Sequence, residues 1–215
     1  MGQKVNPHLI RLQHVYNWDS RWFNERAYKE TLLEDHTLRK VLMERLRAAG
    51  IAKVEIERSI NSVRIIAYVS RPGMVIGRAG TGLEDLKKFI LTFFRDRKGK
   101  KHMPKIDIRI EPVKEPNLDA TLVAKNIAEQ LIRRLPYKRV LVQNAERVMT
   151  SGALGVRILL SGRIAGAEIS RREKIQKGTV PLSTIRSAID FASIPSLTKK
   201  GYIGVKVWIN KQEGK

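Results

Sequence analysis

The stretch Arg71-Pro72-Gly73-Met74-Val75-Ile76-Gly77-Arg78-Ala79-Gly80 constrains the chain more than any other. It joins a segment of alternating apolar residues to one of helical apolar spacing through a basic loop bracketed by glycines. Gly77 and Gly80 lack the Cβ atoms that would hold a sugar-phosphate chain away, and the helical pattern begins just after them, so loop amides and a helix N-terminus can face one phosphate. Arg78 adds a charge at the tip. A Gly-x-x-Gly alone also fits a tight turn before a helix, so its meaning rests on its flanks. Nucleotide loops fit less well. Gly77 and Gly82 have the spacing of Walker A glycines, but Leu83 and Glu84 stand where Lys and Ser or Thr would hold the triphosphate and its magnesium. Gly77, Gly80 and Gly82 run in the reverse of the dinucleotide Gly-x-Gly-x-x-Gly order.

The flanks supply a fold. Leu38, Val41, Leu42, Leu46 and Ala49 have helical spacing, with Asp35 placed as a cap and Gly50 as a stop. Val54 and Ile56 alternate with Glu55 and Glu57, then Val63, Ile65, Ala67 and Val69 with Arg64, Ile66 and Tyr68, which predicts a hairpin turning at Asn61-Ser62. Beyond the loop, Leu83, Leu86, Ile90 and Phe93 form a second helical stripe whose polar side is crowded with Lys87, Lys88, Arg95, Arg97, Lys98, Lys100 and Lys101. Ile106, Ile108 and Ile110 make a further strand. The order helix, strand, strand, Gly-x-x-Gly, helix, strand over residues 35–111 resembles a KH domain of the prokaryotic, type II arrangement. The resemblance implies that Gly77, Arg78, Ala79 and Gly80 clamp about four nucleotides by their backbone, with Arg71, Lys87 and Lys88 as nearby cations.

Charge narrows the partner. With 42 Lys and Arg against 21 Asp and Glu, the 215-residue chain carries a formal net charge of +21. Such self-repulsion is ordinarily offset by a polyanion, nucleic acid above all. An anionic membrane surface is the other candidate, but no apolar run approaches the roughly 20 residues of a spanning helix. The absence of cysteine excludes disulfides, thiolate zinc sites and cysteine nucleophiles, and is compatible with an intracellular compartment. The N-terminus lacks a secretory h-region and the Arg/Ser content of a transit peptide, so it reads as a mature start. His8, His14, His36 and His102 have no metal-ligand spacing. Glu55 and Glu57 are expected to share a solvated strand face, and Glu84 and Asp85 suit the first turn of a helix. No enzyme, metal or cofactor is expected.

Three regions follow. Residues 1–34 carry Lys4, Arg11, Arg21 and Arg26 interleaved with Tyr16, Trp18, Trp22 and Phe23. These form an RNA-binding arm that orders on its partner, or else the tryptophans simply dock on the domain. Residues 35–112 are the KH-like domain, closed by Pro112 and Pro116. Residues 113–215 begin with a helix from Leu118 to Leu135 ended by Pro136, then a helix over Lys138–Met149. Strands are expected at Val156–Leu160, Ile164–Arg172 and Ile203–Ile209, with 178–200 open between strand and short helix. The fold class is α+β, with two helices packed on an antiparallel sheet in this second half. From Ala120 onward it holds eighteen basic residues against six acidic. A solvated face mixes signs, so this excess reads as an anion-binding surface.

Taken together, Met1-Gly2-Gln3-Lys4-Val5-Asn6-Pro7 with Arg11-Leu12, the pair Trp18 and Trp22, Arg71-Pro72-Gly73 with Val75-Ile76-Gly77 and Gly80, Gln143-Asn144-Ala145, Ser161-Gly162-Arg163 with Gly166-Ala167-Glu168-Ile169, Val180-Pro181-Leu182 with Ile185-Arg186, and Gly204–Ile209 resemble the bacterial form of the small-subunit ribosomal protein S-three family. The resemblance implies a small-subunit constituent in the cytoplasm, or one encoded in an organelle, present once per ribosome rather than as a homo-oligomer. It implies binding to small-subunit rRNA in the head, contact with the neighbouring head proteins S-ten and S-fourteen, and a place beside the channel where messenger RNA enters. Gly2, Gln3, Lys4, Arg11, Trp18, Trp22, Arg163, Arg171, Arg172 and Arg186 become rRNA contacts on this reading. Lys138 and Arg139, with Arg133 and Arg134, line the messenger path. The chain departs from the family at Val142, where a basic residue is common, and at Leu9, Gln13 and Ala165, where glycines are.

Overall fold

The computed structural model describes residues 4–98 and 105–212. It divides into two units, Trp18–Lys114 and the segment through Asn17 together with Glu115 onward.

In the first unit a two-residue strand β1 (Ser20–Arg21) precedes α1 (Tyr28–Arg45), β2 (Ile51–Arg58), β3 (Ser62–Val69), α2 (Pro72–Ile76), α3 (Thr81–Lys98) and β4 (Lys105–Pro112). The sheet order is β1-β2-β3-β4, with β2 and β3 antiparallel and the outer pairs parallel. Alternation puts Ile56 opposite Ile65, and Ile65 opposite Ile108. This face meets Leu38 and Leu42 of α1 and Leu86, Ile90 and Phe94 of α3 in one core. Each fully buried Leu, Ile or Phe there contributes on the order of 2 kcal/mol by leaving water.

α1 begins seven residues before the expected start, and Asp35 is not its cap. Asp35 is buried mid-helix, where it pairs with Arg58 and accepts from Trp22 Nε1 at 2.8 Å. Arg58 also bonds Glu34 at 2.8 Å. Buried carboxylates persist only when paired, and this network supplies the pairing. Glu55 likewise leaves the solvated face assigned to it: β1 lies along β2, and Arg21 and Lys53 close over the carboxylate at 2.7 and 2.8 Å. Burial pulls the Lys53 ammonium down, but Glu55 and Asp19 outweigh it and hold the lysine above its ordinary value.

In the second unit α4 (Ala120–Ile132) and α5 (Tyr137–Thr150) cover one face of an antiparallel sheet of β5 (Gly155–Gly162), β6 (Arg171–Gly178), β7 (Ile189–Thr198) and β8 (Gly201–Asn210), in the order β6-β5-β8-β7. Asp119 caps α4 by accepting from the Leu122 N–H at 2.9 Å. Ile127, Leu131, Val140, Leu141 and Val148 pack on Val156, Ile158, Leu160, Val205, Val207 and Ile209. Buried Asn144 ties the helices together, donating to Gln130 Oε1 at 3.0 Å and to the Val140 carbonyl at 2.7 Å. The strand expected over 164–172 is instead a single 3-10 turn at Ile164–Gly166, and the strand starts at Arg171. The ambiguous stretch resolves into a loop followed by β7.

The residues read as one arm go to both units. Trp18 onward belongs to the first. Residues 4–17 fold onto the second, where Arg11 is fully buried and donates to the carbonyls of Pro7, Pro181, Leu182, Thr184 and Ser187 at 2.8–3.3 Å. Burial lowers the pKa of this guanidinium, opposed by the nearby Tyr16. His8 stacks on Tyr16, with ring centroids 4.5 Å apart, and reaches Asp190 Oδ1 at 2.9 Å. Asp190 also accepts from the Ala120 N–H and pairs with Lys211, both at 3.0 Å. Its burial favours the neutral acid, but His8, Lys211 and the Ala120 N–H prevail and hold it well below the usual carboxylate range.

Candidate nucleic-acid interface

The glycine loop takes a form only glycine accommodates well. Gly77 and Gly80 lie at φ +71° and +81°, and a Cβ on Gly82 would come within 2.5 Å of the Val75 carbonyl oxygen. Gly82 thus lets the start of α3 close on α2, while Gly77 and Gly80 turn the chain between them. Arg71 and Arg78 are exposed beside the loop, and Lys87 and Lys88 are exposed on α3. Ala79 lies in the 3-10 turn Arg78–Gly80. Glu84 is acidic in the first turn of α3, as the helix dipole favours.

The α4–α5 turn gathers four cations in seven residues. Arg133 ends α4, and Arg134 follows at φ +60°, with the Leu135 N–H returning to the Gln130 carbonyl at 3.2 Å. That is a Schellman closure with arginine where glycine is usual. Lys138 and Arg139 then occupy the first turn of α5, whose N-cap, Pro136, provides no side-chain cap. All four are exposed. Cations at a helix N-terminus oppose its dipole by about 0.3–1 kcal/mol each. The fold gains nothing from this arrangement, whereas a phosphate seated there would meet free N–H groups and two positive side chains. Lys138, Arg139, Val142, Gln143 and Glu146 line an open depression beside this turn. Its one acid, Glu146, is engaged by Lys177 at 2.9 Å.

Other expected contacts divide. Arg171, Arg172 and Arg186 are exposed, as are Lys4 and Trp18. Arg163 is half-buried and donates from Nε to the Ala167 carbonyl at 2.8 Å, so it also shapes its own loop. Gly2 and Gln3 lie outside the described residues. Two assignments are corrected. Arg11 is enclosed by carbonyls with no surface for a phosphate, and Trp22 is half-buried with its N–H used by Asp35. Three cations not singled out from sequence, Arg157, Lys174 and Lys206, project from the sheet face opposite the helices. Their signal was the period-two alternation of Lys206 with buried Val205 and Val207.

Ion pairing separates the units. In the first, Arg21, Lys53, Arg58, Arg64, Lys88 and Arg109 all face carboxylates. In the second, Lys177 and Lys211 do, while the cations of the α4–α5 turn have no carboxylate within 4 Å among the described residues. Among the described residues no helix is long and apolar enough to cross a membrane.

A glycine-loop α+β domain joined to a second, cation-rich α+β domain defines a two-domain protein of the KH class, and residues 37–118 match the KH domain family. Residues 127–209 match the family described as "Ribosomal protein S3, C-terminal domain". The chain is 42% identical over 214 residues to small ribosomal subunit protein uS3 of Clostridium novyi (strain NT), covering 99% of this chain and 94% of that protein. It is 44% identical over 213 residues to that of Desulfitobacterium hafniense (strain DSM 10664 / DCB-2), covering 99% and 94%. The uS3 protein of Lactobacillus acidophilus (strain ATCC 700396 / NCK56 / N2 / NCFM) is 43% identical over 213 residues, covering 99% and 92%. The chain belongs to the uS3 family of small ribosomal subunit proteins, which is not an enzyme family.

Proposed function

We propose that this protein is a structural constituent of the small ribosomal subunit that binds rRNA in the head and holds messenger RNA where it enters. The carrying observation is the α4–α5 turn, where Arg133, Arg134, Lys138 and Arg139 surround an uncapped helix N-terminus. Such a site grips a sugar-phosphate backbone without reading bases, as a moving messenger requires. Val142 adds no charge, so the grip rests on the helix start and the preceding turn. The Gly77–Gly80 loop is a second RNA contact. Arg171, Arg172 and Arg186 contact rRNA, with Arg186 held in place by the loop that Arg11 pins through four of its carbonyls. Neighbouring head proteins complete the setting in the cytoplasmic ribosome, without covalent chemistry by this chain.

Ribosomes carrying Arg139→Ala test this reading. The variant is expected to assemble normally and to translate messengers with stable structure near the entry several-fold more slowly than the parent does, with unstructured messengers little changed. Rates unchanged from the parent on both kinds of messenger would refute the messenger role.

A further inference from the structure

We propose that the open face of the β6-β5-β8-β7 sheet is a second RNA platform, seating a strand of small-subunit rRNA on the side of the unit opposite the α4–α5 turn. This rests on the ribosomal reading above, which assigns only Arg172 of this surface.

The inward residues of β5 and β8, Val156, Ile158, Leu160, Val205 and Val207, are buried with the helices, so their neighbours in sequence face away. On that outer face Lys174 of β6 is opposite Leu159 of β5, and Leu159 is opposite Lys206 of β8. Arg172 is opposite Ser161, and Arg157 is opposite Trp208. With strands about 4.8 Å apart and same-face residues about 6.8 Å apart along a strand, Arg157, Arg172, Lys174 and Lys206 fall in a patch roughly 15 Å across. None of them has a carboxylate within 4 Å among the described residues, and none of the outward positions of the four strands is Asp or Glu. Four unpaired like charges this close repel, and a polyanion is what would offset them.

The relief of the face suits a strand. Ser161 and Gly204 form a low floor beside Arg172, and a Cβ on Gly204 would already press to 3.0 Å from Ser161 Oγ. Tyr202 is 68% exposed and offers a ring to an unstacked base. Arg157 lies over Trp208 at 5.1 Å, a cation–π contact that holds its guanidinium against the ring. Lys174 and Lys206 flank Leu159 at the middle of the face, while Phe191, Pro195 and Leu197 lie on its β7 edge, so the cationic part toward β6 is what a phosphate chain fits.

The test uses the full chain and in vitro-transcribed small-subunit rRNA, with affinity measured across salt. The double variant Lys174→Gln, Lys206→Gln is expected to melt like the parent, to bind several-fold more weakly at low salt, and to flatten the slope of log affinity against log salt by about 1.4. Independently of any variant, ultraviolet irradiation of the parent complex is expected to crosslink Tyr202 to rRNA. An unchanged slope and affinity in the variant, alongside tight binding by the parent, overturns the platform and leaves the ribosomal reading standing. Crosslinks from Lys174 and Lys206 to a neighbouring protein in a reconstituted subunit also overturn it. Failure of the parent itself to bind rRNA overturns both.

Discussion

Among the described residues, Gln13, Arg134 and Ala165 are non-glycine residues at positive φ, 71°, 60° and 56°. Gln13 and Ala165 are two of the positions where the family resemblance calls for glycine, and the chain takes a left-handed turn there with a side chain in place. A left-handed L-residue costs roughly 1–2 kcal/mol, and glycine returns about 0.4–1 of that as unfolded-chain entropy. Ala165→Gly is therefore expected to raise the melting temperature of the second unit by a few degrees, about 0.5–1 kcal/mol; a fall on thermal melting would contradict the strain argument. Arg134 likewise carries a side chain at positive φ, here a cation at the proposed messenger site. Asp190 gives a pH-dependent prediction. Its folded pKa is depressed, so its stabilisation is fully present above the unfolded value near 3.9 and is lost as pH falls below it. Asp190→Asn should cost about 2 kcal/mol at neutral pH, with the gap to the parent narrowing in melts run below about pH 4. A gap that stays constant down to pH 2.5, or so, would show that ionisation of Asp190 contributes nothing.

At the scale of elements, the glycine loop and the start of α3 act together. Replacing Arg78 and Ala79 by Asp puts two negative charges where a phosphate would sit, without touching Gly77 or Gly80. The variant is expected to keep its circular dichroism and melting temperature and to lose single-stranded RNA affinity ten-fold or more; equal affinity would remove the loop from the interface. The hairpin and α5 were legible because each buries a regular apolar pattern, and the loop because its glycines fall between two such patterns. What was not legible failed for physical reasons. The first half of α1 exposes Leu32 and Leu33 and buries Glu34 and Asp35, inverting the pattern a reader looks for, because Arg58 and Trp22 supply inward partners. β6 has one apolar residue, Ile175, against the core and is held by its ladder with β5. β7 hides behind buried Asp190 and Ser196 and carries Pro195, which an edge strand tolerates. Arg11 and Trp22 looked like RNA contacts because nothing local distinguishes a cation or indole facing phosphate from one facing carbonyls or a distant carboxylate.

For the whole molecule, the net charge of +21 is distributed unevenly in its consequences. The first unit pairs many of its cations internally, whereas in the second the cations of the α4–α5 turn, Arg171, Arg172 and those of the open sheet face have no carboxylate within 4 Å among the described residues. Family membership and this imbalance lead to one claim, that the protein's stable state is inside the small subunit, its charge neutralised by rRNA. Sedimentation of the endogenously tagged protein through a sucrose gradient at about 0.5 M salt, where exposed charges are screened beyond about 4 Å, tests that claim most directly. The account predicts one copy for each small-subunit rRNA, retained at that salt; protein released to the top of the gradient would contradict it and make the chain a dissociable RNA-binding factor.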